Sequence, residues 1–87
     1  MKKEKITIKN ETGLHARPAS ELVKLASTFK CEVFVTAGEK RVNAKSILAI
    51  MSAGVKANTE VEVECDGEDE DIAMDKILEA INNKFGE

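Results

Sequence analysis

Glu60-Val61-Glu62-Val63-Glu64-Cys65 is a run in which acidic and apolar residues alternate without interruption. Alternation with a period of two is typical of a β-strand that buries one face and leaves the other in water. Similar but shorter patterns occur at residues 5–9, 32–36 and 41–43. The last two flank Ala37-Gly38-Glu39-Lys40, which has the composition of a hairpin turn. The sequence therefore predicts four short strands, the second and third of them joined as a hairpin.

Three helices are predicted between and after these strands. Ala19, Leu22, Val23 and Ala26 recur at helical spacing, and the preceding Pro18 suits a first turn, where its missing N–H costs nothing. Ser46 is an N-cap signal for a short helix at 47–53, and Gly54 can end it. We expect the inward residues of this short helix to be Ile47, Ile50 and Met51.

The last helix is predicted to have the acidic run 68–71 at its start, where negative charge is favoured. We interpret this run as solvated rather than as a metal site. The helix is expected to extend to a last turn containing Lys84, followed by Gly86. Its buried stripe is predicted to comprise Met74, Ile77, Leu78, Ile81 and Phe85.

The order strand, helix, strand, strand, helix, strand, helix predicts an α+β fold of two layers. Three helices packed on one face of a four-stranded antiparallel sheet would bury every apolar stripe. The other face of the sheet should lie open to water, with Phe34 as the exception. This expectation rests on the polar residues of that face, namely Thr7, Glu32, Glu62 and Glu64.

Composition limits the possible functions. The 87 residues suffice for one domain, spanning residues 1–87. A net charge of −3, no Trp, no Tyr and three Phe disfavour nucleic-acid binding by basic patches or base stacking. No signal peptide or membrane span is visible, so a cytoplasmic location is expected. Two cysteines, Cys31 and Cys65, are too few and too far apart for a zinc site, and no metal is expected.

The stretch 12–18 contains the only histidine, His15, and the only proline, Pro18, with Arg17 between them. It joins a predicted strand to a predicted helix start, where free N–H groups and the helix dipole favour anions. A neutral imidazole there could accept a phosphoryl group, and Arg17 could contact the phosphate. The residues alone leave a second interpretation open, in which His15 is a surface or capping residue. No nucleotide-binding motif is present, so a phosphoryl donor would be another protein.

Two motifs resemble the family of histidine-containing phosphocarrier proteins, HPr, of the bacterial phosphoenolpyruvate-dependent sugar phosphotransferase system. They are Gly13-Leu14-His15-Ala16-Arg17-Pro18-Ala19 and Val42-Asn43-Ala44-Lys45-Ser46-Ile47-Leu48 with Met51-Ser52. The resemblance covers the whole chain. It implies an open-faced β-sandwich with strand order 1-4-2-3, and a carrier that is not itself an enzyme and needs no cofactor. A monomer is the default expectation.

The resemblance also implies the roles of individual residues. His15 would take the phosphoryl group on Nδ1 from phosphorylated enzyme I and pass it to the IIA domains of sugar permeases. Arg17 would steady the phosphate and the transition state. The backbone N–H groups of Ala16 and Arg17 would also bind the phosphate.

Ser46 has two interpretations. It can be an N-cap hydroxyl alone, which would stabilise the short helix by about 1 kcal/mol. In the Gram-positive type of the family, the matching serine is also phosphorylated by an ATP-dependent HPr kinase/phosphorylase for carbon catabolite regulation. The resemblance adds the catabolite control protein as a partner of the seryl-phosphorylated form.

Beside Ser46, the family docks its partners on an exposed apolar patch. The corresponding residues here are Ile47, Leu48, Ala49, Met51 and Ala53. The sequence departs from the usual pattern, because Leu48-Ala49 replaces Met-Gly and Ala53 replaces Leu. The patch is therefore predicted to be smaller and less adaptable, which bears on partner affinity.

Two alternative functions remain. One is a regulatory HPr-like paralogue of a nitrogen-type phosphorelay; the catabolite-repression paralogue lacks the active histidine, so His15 argues against that form. The other is a plain interaction or RNA-binding module, whose open sheet face would carry basic or aromatic residues rather than Glu32, Glu62 and Glu64. Under the implied strand order, we also predict that Cys31 and Cys65 are close together, buried and reduced.

Overall fold

The computed structural model describes residues 1–86 and has the predicted α+β fold. The order of elements is strand, helix, strand, strand, helix, strand, helix, followed by a 3₁₀ turn at Lys84–Gly86. The strands are β1 (Lys2–Thr7), β2 (Glu32–Ala37), β3 (Lys40–Asn43) and β4 (Glu60–Asp66), and the helices are α1 (Ala16–Ser27), α2 (Ile47–Ser52) and α3 (Glu70–Asn82).

The four strands form one antiparallel sheet in the order β1-β4-β2-β3, as predicted. The alternating run of β4 lies in the middle, where Val63 pairs with Glu4 of β1 and with Val35 of β2. Because side chains alternate between faces, the valines of β4 point to one side and its glutamates to the other. The valine side carries the core.

The core is aliphatic and lies between the sheet and the helices. Leu22 of α1, Ile50 of α2 and Ile77 of α3 are each at most 1% exposed, as are Val33, Val35 and Val63 on the facing strands. α1 and α3 each bury a stripe and α2 buries Ile50 on the same face of the sheet, which confirms the two-layer arrangement.

Lysines of the β3 region hold the short helix α2 in place. The Nζ of Lys40, the first residue of β3, donates a hydrogen bond to the carbonyl of Ser52 in the last turn of α2 (3.1 Å). The Nζ of Lys45, just before α2, donates to the carbonyl of Phe29 after α1 (2.9 Å). A cation near the C-terminus of a helix satisfies carbonyls that have no intrahelical partner. These contacts fix α2 relative to both the hairpin and α1.

The end of α3 differs from the prediction. The helix stops at Asn82 with Asn83 as its C-cap, and Lys84 and Phe85 adopt left-handed backbone conformations with φ values of 55° and 53°. Lys84 is therefore not in the last helical turn. Phe85 still packs half-buried against the core, but from the 3₁₀ turn rather than from the helix. Asparagine has a poor helix propensity, which favours an end at this point.

The open face of the sheet is less solvated than predicted, because Glu64 is only 5% exposed. Arg41 of β3 forms a bidentate pair with this carboxylate, donating from Nε and from Nη2, each at 3.1 Å. The guanidinium also lies 3.8 Å from the ring centre of Phe34, in a cation–π contact. The alternating sequence pattern places Glu64 on this face but cannot reveal a covering arginine from another strand.

This pair should make folding stability depend on acid pH. The Arg41 guanidinium holds the pKa of Glu64 below its ordinary value of 4.5, so the ionised carboxylate stabilises the folded state above that pH. We expect the stabilisation to be lost as pH falls through the lowered value. Urea unfolding should show Glu64→Gln less stable than the wild type at neutral pH, with the difference narrowing near pH 3. The exposed Glu79→Gln is the control. If the difference in unfolding free energy between Glu64→Gln and the wild type stays constant with pH, the Arg41–Glu64 pair is not the source of the pH dependence.

The acidic run 68–71 lies at the start of α3, as predicted, but it is partly structural and not entirely solvated. The carboxylate of Asp69 accepts hydrogen bonds from the backbone N–H groups of Lys30 and Cys31, both at 2.8 Å. These donors lower the pKa of Asp69. The run therefore ties the start of α3 to the segment that enters β2.

The two cysteines lie where the implied strand order predicted. Cys65 of β4 pairs with Val33 of β2, two residues from Cys31, and both thiols are buried and not disulfide-bonded. Burial, the largest cause, raises the pKa of Cys65 to about 12. A buried thiol of this kind stays protonated and packs as a small apolar group.

Candidate functional site

The loop between β1 and α1 is fixed at both ends. Ile8 pairs with the segment before β4, accepting from the N–H of Asn58 (2.8 Å) and donating to Thr59 (2.9 Å). A turn then closes from the N–H of Gly13 to the carbonyl of Asn10 (2.9 Å). The N–H of Leu14 donates to Val55 (3.0 Å), and the Leu14 side chain is buried. The loop therefore delivers residue 15 to a defined position.

Gly13 is required at its position in this loop. Its φ is +70°, in the region that favours glycine. A Cβ at this position would lie 2.2 Å from the carbonyl oxygen of Val55 and 2.8 Å from the Cα of Lys56, both backbone atoms. The close approach of two backbones explains why a glycine stands two residues before the histidine.

His15 is the N-cap residue of α1, as predicted for a histidine at a helix start. Its backbone is extended, its carbonyl accepts the first intrahelical hydrogen bond from Ala19 (2.9 Å), and its side chain is exposed. The imidazole makes no capping bond to the helix. The backbone thus places His15 at the start of the helix, and its side chain is exposed.

The first turn of α1 supplies donors beside the ring. Ala16 and Arg17 are its first two residues, and N–H groups at these positions have no intrahelical acceptor. Pro18, the third residue, is buried and has no N–H. The dipole of this 12-residue helix adds positive potential at the same end. Arg17 is exposed on the same turn, so its guanidinium can reach an anion held there.

Two clefts meet at His15. The larger, of about 460 Å³, is lined by His15, Asn10, Glu11, Thr12 and Lys84. The smaller, of about 340 Å³, runs from His15 to α2 and is lined by Thr12, Leu14, Met51, Gly54, Val55 and Lys56. The histidine is therefore accessible from two sides, and the second cleft connects it with the short helix.

Ser46 is the N-cap of α2, as predicted. Its Oγ accepts a hydrogen bond from the N–H of Ala49 (3.3 Å), and its carbonyl accepts from Ile50 (3.1 Å). The side chain is partly exposed. The structure therefore supports the capping role, and the hydroxyl remains within reach of solvent.

The predicted inward stripe of α2 is wrong for two of its three residues. Ile50 is buried, but Ile47 is 37% exposed and Met51 46% exposed. Leu48 is 79% exposed, and Ala49 and Ala53 are half-buried. This helix of six residues lies at the edge of the core and buries only Ile50, so its other residues are half-buried or exposed. We refer to Ile47, Leu48 and Met51 as the α2 patch.

The sequence did not indicate three further residues of the site. Asn10 is 1% exposed, and its Nδ2 donates to the carbonyl of Lys84 across the chain (2.9 Å). Lys84 and Lys56 line the clefts on either side of His15. The Asn10–Gly13 spacing is a turn signal that could have singled out Asn10. No local pattern marks either lysine, because their proximity to His15 arises only from the fold.

Within residues 1–86, no group of three or more His, Cys, Asp or Glu side chains could hold a metal ion. No helix in the described part of the chain has the length and apolar character needed to cross a membrane.

The chain belongs to the HPr family, the phosphocarrier proteins of the phosphotransferase system. A family model described as "PTS HPr component phosphorylation site" matches residues 2–83. This class agrees with a histidine at a helix start on an open-faced sandwich, and the match spans all the strands and helices up to the end of α3.

Individual relatives agree with this assignment. The phosphocarrier protein HPr of Neisseria meningitidis serogroup A is 45% identical over 87 residues, covering 100% of this chain and 98% of the relative. The HPr-like protein Crh of Bacillus subtilis is 43% identical over 77 residues, covering 88% of this chain and 91% of the relative.

A solved structure of HPr from Thermoanaerobacter tengcongensis superposes with a TM-score of 0.96 at 47% identity, covering 100% of this chain and 98% of that one. A structure described as an HPr dimer from the same organism matches with a TM-score of 0.80 over the full length of both chains. The expected monomer therefore stays a prediction for this chain.

Proposed function

We propose that this protein carries phosphoryl groups for sugar transport, accepting them on His15 from phosphorylated enzyme I and passing them to the IIA domains of sugar permeases. It is not an enzyme by itself, because the partners complete the reaction. The observation that carries the proposal is the position of His15, exposed at the start of α1 where two clefts meet. We place the protein in the cytoplasm, where these partners act.

The chemistry of the first turn suits reversible transfer. Phosphoryl transfer needs positioning and charge stabilisation more than covalent assistance from the protein. An imidazole at a helix N-terminus can accept the group, and the N–H groups of Ala16 and Arg17 can receive the phosphoryl oxygens. The Arg17 guanidinium adds a charge-assisted contact. The same exposed geometry lets a second partner remove the group.

The experiment that tests acceptance uses phosphoenolpyruvate and enzyme I. We expect the intact protein to gain one phosphoryl group, labile in acid as a phosphoramidate is, and to lose it when a IIA domain is added. ATP and HPr kinase/phosphorylase should instead produce an acid-stable phosphate. The proposal is wrong if this protein gains no label from an enzyme I preparation that phosphorylates another HPr.

We assign partner docking to the α2 patch together with Ala49 and Ala53. Leu48 is 79% exposed, and Met51 lines the cleft that reaches His15. Exposed aliphatic residues that adjoin a reactive group favour protein docking. Enzyme I and the IIA domains would thus bind across the cleft and the patch together.

Leu48→Ser should slow phosphoryl transfer from enzyme I about tenfold at subsaturating concentrations, since burying a leucine at an interface contributes about 1.5 kcal/mol. Ile72→Ser is the matched control, because Ile72 is also an exposed aliphatic residue (60%) but lies on α3 outside the patch. Stopped-flow or quenched-flow transfer rates measure both. Equal rates for Leu48→Ser and the wild type would show that partners dock elsewhere.

We further propose that HPr kinase/phosphorylase phosphorylates Ser46 and that this form signals carbon catabolite regulation, with the catabolite control protein as a partner. The partly exposed hydroxyl at the helix start supports access, and the added charge is compatible with that position. Negative charge beside the α2 patch would repel acidic partners.

Ser46→Asp should therefore reduce transfer from enzyme I by about threefold to tenfold at low ionic strength, with partial recovery in high salt. Lys76→Gln, an exposed position on α3, lowers the net charge by the same one unit outside the patch and serves as the control. The rate is measured with each variant at two salt concentrations. An equal loss in both variants would indicate a general charge effect and not a local one.

A regulatory paralogue is the alternative. The similarity to the HPr-like protein Crh favours considering it. The presence of His15, and its accessible position, favours the carrier. A relay that does not serve sugar flux would still give the acid-labile label but would fail to pass it to sugar-specific IIA domains.

A further inference from the structure

The larger cleft at His15 contains a cation that the proposed chemistry has not yet used. Glu11, Thr12 and Lys84 line it together with the histidine. Lys84 comes from the end of the chain, after α3, and reaches the site only through the fold. Its long, flexible stem lets the ammonium group move over the cleft.

The backbone at Lys84 is held in an uncommon conformation. Lys84 and Phe85 have φ values of 55° and 53°, and residues other than glycine adopt this region at a cost of about 1 kcal/mol each. Such strain persists where surrounding contacts determine the position. The buried Asn10 donates to the carbonyl of Lys84 (2.9 Å), and Phe85 packs against the core.

Asn10 belongs to the loop that carries His15. Its own carbonyl accepts the hydrogen bond of Gly13, two residues before the histidine. One side chain therefore couples the position of Lys84 to the position of His15. This arrangement differs from an exposed lysine that happens to be nearby, because the link is made through a residue that is 1% exposed.

Phosphorylation of His15 would bring negative charge into the cleft that Lys84 lines. Among residues 1–86, the charged residues that line the two clefts besides Lys84 are Glu11 and Lys56, and Arg17 lies on the first turn of α1. A phosphoryl group brings about two negative charges into a cleft where Glu11 already repels it. In the described part of the chain, Lys84 is the cation that lines that cleft, while Lys56 lies in the cleft that leads to α2.

We propose that Lys84 is a second cation that contacts the phosphoryl group on His15, with Asn10 as the positioning residue that holds it there. This rests on the proposed function, since it assumes a phosphoryl group on His15.

Chemical phosphorylation tests this without enzyme I. In phosphoramidate, the P–N bond breaks and ammonia leaves as a ring nitrogen of His15 forms the new P–N bond. Because the chain has one histidine, the product is a single phosphohistidine protein. The second ionisation of its phosphoryl group is then measured by phosphorus NMR at low salt. Removing a nearby cation should raise that pKa by about half a unit.

We expect Lys84→Gln to raise the second pKa of the phosphoryl group and Lys84→Arg to leave it at the wild-type value. Lys76→Gln, an exposed lysine of α3, changes the net charge equally and should have no effect. Asn10→Ala should reproduce part of the rise, and adding it to Lys84→Gln should give no further change. Because Lys84 is exposed, its variants fold even if Asn10→Ala does not.

A phosphoryl pKa in Lys84→Gln equal to that of Lys76→Gln would overturn the proposal. That outcome leaves the carrier function intact if enzyme I still phosphorylates His15. Conversely, failure of enzyme I to phosphorylate the wild type would contradict the carrier function, while the NMR titration would still report on Lys84.

Discussion

His15→Ala will abolish the acid-labile label from phosphoenolpyruvate and enzyme I, reducing transfer to the level of a reaction without the protein. The chain has one histidine, so no second imidazole can replace it. Because the side chain is exposed, its removal should leave the fold unchanged. Circular dichroism and urea unfolding should therefore match the wild type. The loss is then attributable to the missing nucleophile.

Arg17→Lys is the comparison variant for this prediction. It keeps the positive charge but loses the planar fork that binds two phosphoryl oxygens, so transfer should slow without disappearing. Label that persists in His15→Ala would show that another group accepts the phosphoryl and would remove the basis of the assigned site.

Gly13→Ala should destabilise the protein by about 2–4 kcal/mol and slow phosphoryl transfer at the same time. Part of the cost is the positive φ of 70°, which is worth about 1 kcal/mol for alanine. The larger part is steric, because the new Cβ would lie 2.2 Å from the carbonyl oxygen of Val55. The backbone must move, and His15 lies two residues further along.

Gly38→Ala separates the two contributions. Gly38 also has a positive φ, of 62°, but nothing lies within 4 Å of a Cβ placed there. Gly38→Ala should lower the free energy of unfolding by about 1 kcal/mol. It should leave phosphoryl transfer unchanged, since Gly38 lies in the β2–β3 hairpin turn. Urea unfolding measures the free energies of both variants. Equal losses in the two would show that the loop of His15 has room for a side chain.

Much of the fold follows from local pattern. The alternation around Val61 and Val63 predicts a strand with one buried face, and Ser46 and Gly54 mark the two ends of α2. These signals are short-range, and each is satisfied by the backbone of its own segment. His15 at a helix start is predicted for the same reason, because Pro18 follows it in the first turn.

Other features depend on which segments meet in three dimensions. Glu64 is buried because Arg41 of another strand covers it, and Met51 is exposed because so short a helix has little core to face. Lys84 reaches the cleft of His15 from 69 residues away in sequence, through a turn that Asn10 holds. Neither periodicity nor spacing predicts such contacts.

In the proposed function, phosphoryl groups pass through His15 from one partner to the next. A pulse–chase measurement tests it most directly: limiting labelled phosphoenolpyruvate with enzyme I first, then a IIA domain without further donor. Wild-type protein should acquire acid-labile label and then lose it in equal amount to the IIA domain, and His15→Ala should do neither. A wild-type protein that stays unlabelled with active enzyme I, or whose label never reaches the IIA domain, would show that His15 is not a carrier of phosphoryl groups.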